Sequence, residues 1–122
     1  MNVPSDGVVI WHNPRCSKSR ETLALLRGRG IEPKIVPYLE TPPDAAELAR
    51  VLDLLGIEPR ALMRRKEASY RAAGLDDPAL PRQALIRAMA ENPVLIERPV
   101  VLAGGRAALG RPPEAVLAIL PA

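Results

Sequence analysis

VVIWHNPRCSKSRETLALLRGRGIEPKIVPY, residues 8–38, reads as strand, loop, helix and strand. Val8 to Trp11 is an apolar run bounded by Gly7 and Asn13-Pro14, short enough for a buried strand. Ser17 through Arg29 places Leu23 and Leu26, flanked by Leu25, at helical spacing, with Gly28 and Gly30 as stop signals. Lys34 to Tyr38 carries Ile35 and Val36 between Pro33 and the turn-rich Thr41-Pro42-Pro43, and predicts a second strand. Strand, helix and strand in this order imply a parallel pair.

Cys16, the only cysteine of the chain, falls where that helix begins. The first N–H groups of a helix lack intrahelical partners, and with the helix dipole they stabilise an anion. A thiolate is such an anion, and Arg15, Lys18 and Arg20 lie nearby in sequence. The thiol pKa is therefore expected to fall from about 8.5 into the range of roughly 3.5–7.5, making Cys16 a candidate nucleophile. The same donors suit an oxyanion. The alternative is a buried small hydrophobe, which is what a free cysteine commonly is; a helix start and basic neighbours argue against it.

Farther along, Asp44 to Leu55 has Leu48, Val51, Leu52 and Leu55 on one helical face and stops at Gly56. Pro59 opens a short helical turn, and Pro81 to Glu91 is helical again before Asn92-Pro93. Val100-Val101-Leu102 is a strand signal, Gly104-Gly105 a tight hairpin turn, Arg106 to Leu109 the return strand, and Pro112 to Leu120 a closing helix. Pattern alone reaches an α/β sandwich.

Residues 12–23, His-Asn-Pro-Arg-Cys-Ser-Lys-Ser-Arg-Glu-Thr-Leu, resemble the active-site loop of the ArsC family, the glutaredoxin-coupled arsenate reductases and their close relatives. The resemblance continues through residues 38–43, 60–64, 92–99 and 110–114, in family order and over nearly the whole chain. It implies a thioredoxin-like fold in which a mixed four-stranded sheet is interrupted by a helical insertion, within a single domain spanning residues 1–122. It also implies arsenate reduction through Cys16, with glutathione as cosubstrate, glutaredoxin as partner and no tightly bound cofactor.

By that resemblance Arg64, Arg98 and Arg111 match the arginines that bind the arsenic oxyanion, with Arg65 the nearest competitor for Arg64. Arg98 and Arg111 each precede a proline, which biases their backbone toward extended geometry, and Arg111 sits just before an expected helix start. Pro99 resembles the cis-proline set opposite the active-site cysteine in such folds. His12 matches a family histidine that helps depress the thiol pKa; holding the loop by a hydrogen bond is its other reading. Asn13, Ser17 and Ser19 are read as loop support, the serines as donors to the thiolate or as helix caps. Where characterised reductases commonly read Cys-Gly-Thr-Ser-Arg, this chain has Cys-Ser-Lys-Ser-Arg at 16–20, which resembles a sister branch of ArsC-like proteins. A thiol oxidoreductase with another substrate, and an interaction protein like the Spx regulators, are the alternative functions. The Spx regulators usually carry a Cys-x-x-Cys switch that Cys16-x-x-Ser19 cannot form.

Composition bounds the remaining possibilities. At 122 residues the chain suits one aliphatic core. With Trp11, Tyr38 and Tyr70 the only aromatics, Leu, Val, Ile and Ala must fill it. One cysteine permits no intramolecular disulfide, and with one histidine it leaves no set of structural zinc ligands, so no metal is expected. The net charge is +3, and arginine outnumbers lysine fourteen to three, but there is no basic cluster with interleaved aromatics of the kind that binds nucleic acid. Residues 1–6 show no targeting pattern and no run approaches about 18 apolar residues, so a cytoplasmic monomer without a membrane segment is expected.

Overall fold

The computed structural model describes residues 7–120, so the reading of residues 1–6 lies outside it. The chain divides into two compact units, one built from the residues up to Thr41 and from Arg98 onward, the other from Pro42–Glu97.

In the first unit, β1 (Val9–Trp11) leads through the cysteine loop into α1 (Ser17–Gly28) and then β2 (Lys34–Val36). The two strands pair in parallel, with Ile10 opposite Ile35. After the second unit the chain returns as β3 (Val100–Ala103), turns at Gly104-Gly105 and runs back as β4 (Arg106–Leu109). β3 lies antiparallel to β1, and β4 antiparallel to β3, giving the order β2-β1-β3-β4. Both turn glycines have positive φ, 56° and 75°, a region in which a side chain is strained. This is the mixed four-stranded sheet of a thioredoxin-like fold.

Its core is aliphatic, as the composition requires. Val8, Ile10, Leu23, Leu26, Val101 and Val116 are among the buried residues of one cluster. α1 therefore packs the face carrying Leu23 and Leu26 and leaves its charged face to solvent. Truncating fully buried Leu26 to alanine should cost about 2–5 kcal/mol, combining lost transfer energy with a cavity.

Two sequence boundaries are corrected. β2 stops at Val36 rather than Tyr38, because Pro37 cannot donate to a ladder and its carbonyl instead accepts the N–H groups of Glu40 and Thr41 in a turn. Tyr38 is nevertheless buried. The closing segment is a 3-10 helix, Pro113–Ile119, rather than an α-helix over 112–120. Two prolines at its start remove N–H donors, and Leu120 is already extended.

The second unit is the helical insertion that separates the two halves of the sheet. α2 (Ala45–Leu55) begins at Asp44, whose side chain accepts the Glu47 N–H at 2.8 Å, and ends at Gly56 with φ 68°. A 3-10 turn at Pro59–Leu62 follows, then α3 (Ala68–Ala72) and α4 (Arg82–Glu91), which packs against α2. A further 3-10 turn, Pro93–Leu95, leads to an isolated antiparallel bridge between Met63 and Ile96. Among the described residues no helix is long and apolar enough to cross a membrane.

Candidate functional site around Cys16

The loop that presents Cys16 is fixed by its own polar groups. His12 N–H extends the β1–β2 ladder by donating to Val36 O at 2.9 Å. Asn13 then closes a turn, its side-chain oxygen accepting the Arg15 N–H at 3.0 Å and its carbonyl accepting the Cys16 N–H at 3.0 Å. Proline follows Asn13 and pre-sets the turn. Cys16 is the N-cap residue of α1, extended at φ −98° and ψ 125°, and its carbonyl accepts the Arg20 N–H.

The thiol is buried, 8% exposed, yet its surroundings are polar. Burial pushes its pKa up; the backbone N–H of Ser19, the Arg98 guanidinium and the backbone N–H of Lys18 together outweigh that and hold it below the ordinary value. Neither N–H closes a capping hydrogen bond at the sulfur. They act as aligned dipoles at the helix N-terminus, which favours a thiolate over an apolar cysteine.

The basic residues adjacent in sequence do less than their proximity implies. Arg20 donates to Pro14 O at 2.9 Å, Lys18 sits 3.8 Å from Glu21 on the surface, and Arg15 is exposed. The positive charge at the sulfur comes instead from the far end of the chain. Arg111 Nη2 reaches Sγ at 3.8 Å, and Arg111 Nε donates to Arg98 O at 2.8 Å. Of the two arginines Arg98 has the stronger hold on the thiol, since the Arg111 contact is long and one edge of its fork is occupied by the Arg98 carbonyl. Arg98 Nε is buried with no hydrogen-bond partner among the described residues.

Both arginines precede cis peptide bonds, Arg98–Pro99 and Arg111–Pro112; the resemblance had suggested only the first. The α-helix expected to begin after Arg111 is absent. Its prolines present no N–H there, so Arg111 contributes a side-chain charge and not a helix N-terminus.

His12 and Ser19 are buried together beneath the loop. His12 Nδ1 lies 2.6 Å from Ser19 Oγ, which also accepts the Asn13 backbone N–H at 3.0 Å. Burial first, then the charges of Arg27 and Arg20, lower the His12 pKa, so the ring stays neutral near pH 7. A neutral ring places no charge beside the sulfur, and this geometry matches the loop-holding reading of His12. Ser17 is exposed on the first turn of α1.

Arg64 belongs to the helical unit. Its main chain is pinned by an N–H bond to Leu95 O at 2.7 Å, and its half-buried guanidinium meets Glu67 at 2.7 Å and Glu97 at 3.9 Å. Arg65 is exposed, pairs with Asp76 at 3.2 Å and lies over the Tyr70 ring. Two further residues of the site were not singled out in the sequence. Thr22 is fully buried on α1, back-bonded to Lys18 O, and Gly110 immediately precedes Arg111. A glycine between a strand and a Pro-Pro pair was the available signal for the second.

A thiol of lowered pKa between a helix N-terminus and two guanidinium groups has the charge setting that attack on an anionic centre would need. Comparison with known proteins gives the relatives of the chain. The model of the ArsC family matches residues 11–119. Uncharacterized protein YfgD of Escherichia coli K12 is 57% identical over 93% of this chain and 96% of its own length. An arsenate reductase of Neisseria meningitidis serogroup B is 52% identical over 93% of this chain and 97% of its own. The solved structure of the arsenate reductase from Vibrio cholerae is similar with a TM-score of 0.91 at 57% identity, covering 93% of this chain and 97% of that one.

Proposed function

The chain belongs to the ArsC family, and on that premise we propose that it reduces arsenate to arsenite, with Cys16 as the nucleophile and glutathione and glutaredoxin as the source of electrons. The observation that carries this reading is the Cys16 sulfur held between the α1 N-terminus and Arg98 and Arg111. Such a setting stabilises both the attacking thiolate and the negative charge of a bound oxyanion. Arg64 is assigned to the same oxyanion through its place in the matched motif at residues 60–64.

Cys16 thiolate attacks arsenic and a hydroxyl leaves as water, giving a sulfur–arsenic(V) bond. The chain has no second cysteine, so resolution needs an external thiol. Glutathione displaces another hydroxyl as water. A glutaredoxin thiolate then attacks the glutathione sulfur, and the pair of the glutathione sulfur–arsenic bond stays on arsenic. That step reduces arsenic(V) to arsenic(III) and leaves a glutaredoxin–glutathione disulfide. Water releases arsenite and restores the thiol. His12 and Ser19 hold the loop, Asn13 and Ser17 shape its turn and its helix start, and Pro99 sets the Arg98 corner.

The test is direct detection of arsenite with glutathione and glutaredoxin, using wild type beside Cys16→Ser. Arsenite from wild type alone is the expected result. Arsenite from Cys16→Ser overturns the scheme. A folded wild type with a low-pKa thiol and no arsenite transfers the site to a thiol oxidoreductase acting on another substrate.

A further inference from the structure

We infer that Gly110 is a positioning residue for the thiol site, its missing side chain being what allows the Arg98 and Arg111 corners to close on Cys16. A Cβ built at Gly110 would lie 2.5 Å from Thr22 Oγ1, 2.7 Å from Pro99 Cγ and 3.2 Å from Pro99 Cδ. Both Pro99 distances involve a rigid ring, and Thr22 is fully buried with its hydroxyl bonded to Lys18 O at 2.8 Å. Neither neighbour is the loose end of a flexible side chain.

The close approach has a purpose in the sheet. Gly110 N–H donates to Pro99 O at 2.9 Å, which continues the β3–β4 ladder one step beyond the Val100–Leu109 pair. That step places Arg98 and Arg111 on neighbouring strand ends, where Arg111 Nε meets Arg98 O. Thr22 supplies the opposite wall from α1, the helix whose N-terminus holds the sulfur. Gly110 therefore sits where the helix, the Arg98 corner and the Arg111 corner converge. It touches neither sulfur nor substrate and acts through residues that do. Its φ lies outside the positive region, so backbone freedom is not what the position demands. Close backbone approach is the other reason for a glycine beside a strand.

The test is the pH profile of Cys16 alkylation by iodoacetamide in Gly110→Ala, beside Gly28→Ala, where an added Cβ meets nothing within 4 Å. Gly110→Ala forces Thr22, Pro99 or the Gly110 backbone itself to shift, which disturbs the Arg98 and Arg111 corners around the thiol. The profile should move to higher pH, each unit lowering the rate on its acid side roughly tenfold, while Gly28→Ala keeps the wild-type profile. KM for arsenate should rise more than kcat falls, and only this arm rests on the arsenate reading. If Gly110→Ala does not fold, Thr22→Ala/Gly110→Ala removes the tightest collision and leaves the one with Pro99, so a smaller shift in the same direction is expected. A wild-type alkylation profile in either folded variant overturns the inference, whatever happens to its stability.

Discussion

His12 Nδ1 and Ser19 Oγ lie 2.6 Å apart in the interior, and the serine oxygen also accepts the Asn13 N–H. Ser19 thus shares one hydrogen bond with the neutral imidazole and gives a lone pair to the loop backbone. Ser19→Ala would leave both partners unsatisfied in a buried site, at a cost of about 1–3 kcal/mol. Denaturant unfolding should show that loss. The alkylation profile of Cys16 should change little, because the group acting on the thiol is the Ser19 backbone N–H, which alanine retains.

His12 also gives stability a pH dependence of known sign. Its folded pKa is depressed, so below the ordinary value of 6.5 the unfolded chain takes up a proton that the folded protein resists. Stability contributed by the neutral ring is complete above that value and is lost as pH falls toward the lower folded pKa. Unfolding free energies measured between pH 7 and pH 5 should decline, and His12→Gln should flatten that part of the curve.

After the Ser19 backbone N–H, the Arg98 guanidinium is the next cause that lowers the thiol pKa. Because the thiol pKa is lowered in the fold, thiolate is present at pH values where an ordinary cysteine is protonated. Arg98→Gln removes the guanidinium but keeps a polar side chain. Iodoacetamide alkylation at pH 7 should slow, and the rate profile should shift to higher pH. An unchanged profile would leave the helix N-terminus and Arg111 as the sources of the shift.

Local pattern carried β1, α1, α2, α4 and the β3–β4 hairpin, and tertiary context much of the rest. The run from Val8 to Trp11 and the Leu23–Leu26 spacing specify β1 and α1 because each buries one apolar face. α3 left no such trace: it has five residues, with Tyr70 its one large apolar side chain, and a Tyr70 OH bond to Asp76 helps secure it. At the site, a thiol at a helix N-terminus was legible from the helix start alone. Arg98 and Arg111 were legible only through the family resemblance, since they follow Cys16 by more than eighty residues and only the β1–β3–β4 pairing brings them back. Arg15, Lys18 and Arg20 misled for the opposite reason. Residues adjacent in sequence at a helix start point their long side chains in different directions, and these three find carbonyl, carboxylate or solvent.

Arg64 and Arg65 are neighbours in sequence with opposite expected effects. Arg64 is half-buried, its main chain anchored to Leu95 and its guanidinium held by Glu67 and Glu97, an arrangement that restricts the fork before any ligand arrives. Arg65 is exposed, and its pair with Asp76 is of a kind worth about 0–1 kcal/mol. With Arg64 assigned to the oxyanion, Arg64→Ala loses charge-assisted hydrogen bonds worth about 1.5–3 kcal/mol, and KM for arsenate should rise by roughly tenfold or more. Arg64→Lys should recover only part of this, because an ammonium lacks the planar fork. Arg65→Ala should leave KM unchanged and lower stability only slightly. Neither variant should move the Cys16 alkylation profile, since neither arginine is among the groups that act on the thiol. Equal KM effects from Arg64→Ala and Arg65→Ala would remove Arg64 from the oxyanion site and leave its ion pairs a purely structural role.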